Sequence, residues 1–505
     1  MAVYVQQMVE HKQLLFPLDN CSIPMYKPPL YHWTATALAL ISNQATANPF
    51  YLRLPSALYA VVGAILTMAF AGNLLGLRGA VLSGLILCAS YQYISQARVG
   101  LVNMTLTFFE SLALYAFFGW LQLNNEAPVV GSRRILLHYL FAIALGLGVL
   151  AKGPVGAILP GAAVLLFLLT EKTWIALKNL FKPGPIIVGG AIAASWYLAC
   201  LVSRRWDFLS LQIGDENFGR FFGSLGTMPP WYYLQPLLLN SLPLSLFVPV
   251  AVISAMRRSR SPASSVEPTC SQMVCTQAEP AALAARFLAI FWIFTVAFFE
   301  LASFKRRAYL LPLWPASAVL LAWWLIDRII ARRSSARGDI VYRVAVGVCV
   351  LLAAANFFFI PAYELHGCGA PFTPAALLRW GSAGFTGESS FDSGQTDSYR
   401  AAAAQINRLT NGKGSLYVFG IQDALEPFVF YLNRCVRPLR PPLTAPAVGY
   451  VIAPDSAWHG TSAKKSGLTP VARIPYDSDD LVLLRPMPRP CVTAEPERTS
   501  HGGPR

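Results

Sequence analysis

Four short stretches set a cation beside residues that stiffen or bend the backbone at the edge of an apolar block. They are Lys27-Pro28-Pro29, Ala151-Lys152-Gly153-Pro154, Glu216-Asn217-Phe218-Gly219-Arg220 and Ser303-Phe304-Lys305-Arg306-Arg307. A lysine or arginine fixed where the chain leaves a low-dielectric region can hold an anion far more strongly than a solvated one. Each also has a plainer reading. Lys27 could snorkel to lipid headgroups, Lys152 could only mark a short loop, and Arg220 could pair with Asp215 or Glu216 within its own loop. Arg98 closes an apolar block, where a cation also complements a helix C-terminus. The nine cysteines have no metal-ligand spacing. Cys88, Cys200 and Cys349 read as packed apolar groups, Cys270 and Cys275 as free thiols, and Cys21, Cys368, Cys435 and Cys491 as external cysteines open to a disulfide.

The elements that must carry these cations lie in a bilayer. Hydrophobic residues make up 55% of the 505, charged residues only 13%, and the mean hydropathy is +0.48. The apolar residues come in blocks of the length that spans a hydrocarbon core about 30 Å thick, near 55–75, 79–98, 101–122, 135–151, 153–170, 185–204, 231–256, 284–302, 308–328 and 340–361. Lipid offers no partner to a backbone amide, so each block is expected to be a helix. The fold expected is therefore a membrane all-α bundle of about ten helices. A formal charge of +15 would suggest nucleic acid in a soluble chain. Here the cations flank spans, and the positive-inside rule accounts for most of them, so no nucleic-acid partner is expected. With the loop before residue 55 external, twelve cations fall in cytoplasmic loops and eight in external connections. Those eight include Arg98, Lys152, Arg220 and Lys305 to Arg307, and an anionic ligand would account for at least some of them.

Residues 1–54 read as an external segment with a juxtamembrane helix over Leu30–Ile41, too short to cross. Residues 205–230 read as an external loop and 257–283 as a flexible cytoplasmic linker. After about 361 the composition turns soluble. A helix at 401–409 and strands at 415–419, 449–452 and 481–484 suggest a small external α/β domain over 362–487, followed by a disordered tail at 488–505.

Seven segments, in order, resemble the family 39 glycosyltransferases, the group of bacterial aminoarabinose transferases and protein O-mannosyltransferases. They are Tyr26-Lys27-Pro28-Pro29-Leu30; Arg53-Leu54-Pro55-Ser56-Ala57; Gln96-Ala97-Arg98 with Asn103-Met104; Ala151-Lys152-Gly153-Pro154; Glu216-Asn217-Phe218-Gly219-Arg220-Phe221; Pro230-Trp231-Tyr232-Tyr233; and Ser303-Phe304-Lys305 with Tyr309-Leu310-Leu311-Pro312. The resemblance implies a GT-C-like polytopic bundle with interfacial helices, lying in the bacterial inner membrane. It implies transfer of a sugar from a polyprenyl-phosphate carrier to a lipid, glycan or protein acceptor at the external face. The leaving group would be an anionic lipid phosphate, which gives the external cations a task. Lys27, Arg98, Lys152, Asn217, Arg220, Ser303, Lys305 and Tyr309 are the substrate-binding residues it implies, with Lys27, Lys152, Arg220 and Lys305 lining one cavity.

The sequence departs from that family in three places. Asn103 stands where relatives usually have Asp. Tyr26 stands where aminoarabinose transferases have Glu, which would take away a candidate ligand of a divalent metal, so a metal requirement stays open. The acidic pair expected to handle the acceptor's proton, with the span before it, would lie upstream of Met1. Glu10, Asp19, Asp215 and Glu216 remain as external carboxylates without the motif position of a base. The expectation is a chain that binds polyprenyl phosphate and transfers sugar poorly. A lipid-binding inactive relative is the second reading. A secondary transporter is the third, with Glu110 as its one obvious carboxylate inside a span.

Overall fold

The computed structural model describes residues 1–19, 23–44, 48–125, 131–223, 228–239, 241–257, 272–330, 335–367, 393–419, 431–439, 449–460, 467–475 and 480–486. Two compact units divide at Ser393/Gly394.

In the first unit, six described helices are long and apolar enough to cross a membrane, and four shorter apolar helices accompany them. Nine of the ten expected blocks fall on these helices. Pro49–Ala89 holds two of them, because its helix breaks at Gly76 (φ 69°), and the second block continues past Ser90 as the short helix Tyr91–Ala97. The others are Val102–Asn125, Ser132–Lys152, Val155–Thr170 and Pro183–Val202, then Gln272–Leu301, Leu313–Trp324 and Ser335–Gly367. Leu30–Ile41 is a helix as expected, and Ala2–Glu10 is another beside it.

Four expectations fail locally. The block at 231–256 is not one helix: Leu234–Leu239 and Val248–Arg257 are separated by turns and a 3₁₀ segment at Leu244–Phe247. Pro236, Pro243 and Pro249 remove amide donors throughout that stretch. Much of the expected loop at 205–230 is helical: Trp206–Leu209, a π-helical stretch Ser210–Gly219, then Arg220–Phe222. The linker expected to end at 283 gives way to helix at Gln272, where Ala281-Ala282-Leu283-Ala284-Ala285 favours helix; residues 258–271 lie outside the described residues. The last span also runs on to Gly367, beyond the expected limit of 361.

Aromatic packing joins the spans. Phe287 meets Phe117 at 5.3 Å and Phe167 at 5.1 Å between ring centroids, tying Gln272–Leu301 to Val102–Asn125 and Val155–Thr170. The hydrophobic stretch of Val102–Asn124 is 83% buried, against 6% for Ala336–Phe357. The former is therefore the central post of the bundle and the latter a peripheral helix.

The second unit carries a five-stranded sheet in the order Val436–Pro438, Leu416–Val418, Tyr450–Pro454, Leu481–Pro486, Leu468–Ile474. The first three strands are parallel and the last two pair antiparallel. A helix, Ser393–Leu409, precedes it. The expected tail at 488–505 lies outside the described residues.

Ser132–Lys152 and Val155–Thr170 meet at two glycines. A Cβ on Gly156 would come within 2.3 Å of the Gly148 carbonyl oxygen, whereas one on Gly161 would meet nothing within 4 Å. Gly156→Ala is expected to cost about 1–3 kcal/mol through overpacking, read as an earlier thermal unfolding transition in detergent. Gly161→Ala should leave the transition in place; equal behaviour of the two variants would contradict this packing.

Candidate functional site

Each cation of the sequence motifs is held by a different element. Lys27 precedes two prolines and the helix Leu30–Ile41. Lys152 is the last residue of Ser132–Lys152, which ends where Gly153 takes φ 98°. A Cβ there would lie 2.8 Å from Gln212 Nε2 and 3.2 Å from the Asn217 amide. The glycine therefore lets the π-helical stretch close on the turn, and Asn217 is held in place by donating to the Gln212 carbonyl. That stretch, Ser210–Gly219, ends one residue before Arg220. The backbone of Ser303 and Phe304 anchors the next turn: their amides donate to the carbonyls of Phe221 (2.9 Å) and Arg220 (3.1 Å).

These elements enclose a cavity of about 320 Å³. Lys27, Lys152, Asn217, Arg220 and Tyr309 line it, with Glu216 among them, and the rest of the wall is apolar, with Phe218, Phe221, Phe298, Phe299 and Phe304 prominent. At its polar end Lys27 Nζ pairs with one Glu216 oxygen, and Arg220 Nη2 lies 2.7 Å from the other. The Lys27, Glu216 and Arg220 side chains keep only 10%, 10% and 15% of their exposure. Arg220 Nη1 also donates to the Tyr309 hydroxyl at 3.3 Å. Lys152 Nζ donates to Asn103 Oδ1 at 2.7 Å and stands 4.7 Å over the Tyr309 ring. Asn103 accepts that bond without a charge of its own.

Burial pushes Lys27 down to about 8, with Glu216 opposing the shift and Arg220 adding to it. Burial also works against the Glu216 carboxylate, but Lys27 and Arg220 outweigh it and hold the group below its ordinary value. A carboxylate kept so acidic is a poor proton acceptor and a good internal counter-ion.

Three residues expected to bind substrate, one of them, Lys305, expected to line the cavity, are not in its lining. Lys305 is 3% exposed; it pairs with Glu300 and donates to the Pro229 carbonyl at 3.3 Å. The backbone anchoring of 303 and 304 turns Phe304 into the cavity and leaves Lys305 away from it. Ser303 works through that backbone pairing and does not line the cavity. Arg98 stacks 5.5 Å from the Phe357 ring, outside the lining. Glu216 was visible in the sequence only as a loop carboxylate; its four-residue spacing from Arg220 was the signal that both share one helical face. Among the described residues no three His, Cys, Asp or Glu side chains come together.

This architecture has known counterparts. A family profile of dolichyl-phosphate-mannose-protein mannosyltransferases matches residues 26–200. An uncharacterized protein of Aquifex aeolicus is 26% identical over 374 residues, 74% of this chain and 66% of that protein. The undecaprenyl phosphate-alpha-4-amino-4-deoxy-L-arabinose arabinosyl transferase 2 of Pseudomonas fluorescens is 26% identical over 317 residues, 62% of this chain. The match spans 52% of that transferase, about half its length. The crystal structure of ArnT from Cupriavidus metallidurans bound to undecaprenyl phosphate superposes with a TM-score of 0.69 at 18% identity, covering 95% of this chain and 92% of that one. The oligosaccharyltransferase AglB from Archaeoglobus fulgidus gives a TM-score of 0.50 at 12% identity, covering 90% and 65%.

Proposed function

We infer that this chain, family 39-like and with the GT-C fold, is a multi-pass membrane glycosyltransferase that takes its sugar from a polyprenyl-phosphate carrier. The observation that carries this reading is the convergence of Lys27 and Arg220, from distant parts of the chain, on one carboxylate at the end of an apolar cavity. An isoprenoid chain suits the phenylalanine wall, and a phosphate suits the cations.

The charge arithmetic favours this substrate class. Lys27, Lys152, Arg220 and Glu216 all line the cavity and together carry two net positive charges, one more than the single negative charge of a sugar phosphodiester. In the transfer the acceptor's nucleophilic oxygen bonds to the sugar's anomeric carbon and gives its proton to solvent water. The bond from that carbon to the phosphate oxygen breaks, and its electron pair leaves on the phosphate. The lipid then carries about two negative charges, which the net charge of the cavity balances. Stabilisation that grows as the bond breaks is what lowers a barrier. Lys152, Asn217 and Tyr309 complete the polar end. The sugar and acceptor are proposals of the same kind: 4-amino-4-deoxy-L-arabinose, the sugar named for the Pseudomonas transferases, is the first to try.

The C-terminal unit is assigned to the non-cytoplasmic side. Its Cys435 is disulfide-bonded, which suits an oxidising compartment. Proteolysis of sealed right-side-out vesicles should remove the unit; protection there, with cleavage only after inversion, would reverse the topology.

Two outcomes test the lipid reading. Lys27 loses its charge as pH rises through about 8, so affinity for undecaprenyl phosphate should fall roughly tenfold from pH 7 to pH 9. Lys27→Arg should flatten that fall. Glu216→Gln removes a like charge next to the phosphate and should tighten binding by about tenfold or more, without a matching gain for the uncharged polyprenol. Binding indifferent to the phosphate, or weakened by Glu216→Gln, would contradict the assignment. Transfer is then followed with labelled undecaprenyl-phosphate aminoarabinose in membranes enriched in the protein.

A further inference from the structure

Ser132–Lys152 brings Lys152 to the cavity with its last residue, and its first turn carries Arg134. Eighteen residues at 1.5 Å each place these ends about 27 Å apart, at opposite faces of a bilayer. A second cavity, of about 350 Å³, opens at the Arg134 end. Arg134, Lys182, Asn124, Asn179, Trp120 and Tyr139 are among its walls, and no carboxylate among the described residues lines it.

Two helices begin side by side here. Ser132–Lys152 and Pro183–Val202 touch backbone to backbone, since a Cβ on Gly189 would lie 2.5 Å from the Ala142 carbonyl oxygen. Neither start has a side-chain cap; Pro183 and Pro185 have no amide hydrogen and the Arg134 amide donates to the Gly131 carbonyl at 3.0 Å, so the cationic side chains are the main anion donors here. Asn179 donates to Asn124 at 3.2 Å, and His138 pairs with the Leu180 carbonyl at 3.1 Å. These bonds fix the walls and leave the cations facing the opening. Beside it, Ile135, Leu136, Phe181 and Ile186 are exposed apolar side chains, which suits contact with acyl chains rather than water.

We propose that this cavity binds the phosphate of an anionic membrane lipid, at the face opposite the Lys27 cavity. Arg134 and Lys182 hold the headgroup phosphate while the flanking apolar side chains hold its chains. The bound lipid joins Pro183–Val202 to the helix that positions Lys152. This site is independent of the substrate reading.

The test is native mass spectrometry of the full chain, released from phosphatidylcholine bilayers with and without phosphatidylglycerol. The wild type should retain one phosphatidylglycerol that excess inorganic phosphate does not displace. Arg134→Gln with Lys182→Gln should lower retention by about tenfold, as loss of charge-assisted bonds implies. Lys172→Gln with Lys178→Gln, cations of the same face that do not line the cavity, should leave it unchanged. Equal loss in both double variants would show only a general basic face and overturn the site. Displacement by inorganic phosphate from the wild type would overturn the lipid as its source. That competition needs no variant, so it decides even if the substituted chains misfold.

Discussion

The first unit depends on a buried arrangement of two cations around one carboxylate. Moving a charge out of water costs several kcal/mol per ion even after relaxation, and Lys27, Glu216 and Arg220 are all largely removed from water. Each is tolerable only because the others are present. Lys27 is tied to Glu216, 189 residues away, and Glu216 to Arg220 one helical turn on. The juxtamembrane segment and the 210–222 stretch are thereby fixed to each other at the mouth of the bundle. The π-helical turn, the left-handed Gly153 and the pairing of residues 303 and 304 with 220 and 221 all hold that cluster in place.

The cluster also explains a conflict between burial and function. A binding site for an anion needs cations with spare charge, and spare charge in a low-dielectric cavity is costly. One carboxylate between two cations is a compromise. It reduces the cost without neutralising the site, and it holds the cations in a geometry an incoming anion can take over.

Much of this was legible in the sequence, and the failures have physical causes. The ten apolar blocks were visible because each must satisfy its own backbone within lipid. The interruptions at Pro236, Pro243 and Pro249 were present in the sequence, but hydropathy averages over them. Lys27, Lys152 and Arg220, which the family resemblance singled out together with their place beside turns, line one cavity. Lys305 was misread because one residue of backbone register decides whether 304 or 305 enters the cavity, and no periodic pattern fixes register in a turn. Glu216 was named as a possible partner of Arg220, and that pair forms; its pairing with Lys27 was not legible because the two are remote in the chain. In the second unit, Val436–Pro438 and Leu468–Ile474 were missed as strands: Pro438 and Pro470 interrupt the alternation, and the latter pair shifts register between Pro470 and Ala472.

In the proposed function the phosphate of a polyprenyl lipid meets Lys27 and Arg220. Solid-state NMR can measure this directly, through dipolar coupling between ³¹P of bound undecaprenyl phosphate and ¹⁵N in the side chains of lysine and arginine. The prediction is a coupling to Lys27 Nζ and to an Arg220 guanidinium nitrogen at about 3–4 Å, the separation of a charge-assisted hydrogen bond, lost for each residue in its own Lys27→Met or Arg220→Gln variant. A lipid phosphate that binds tightly but couples to neither nitrogen would contradict the account.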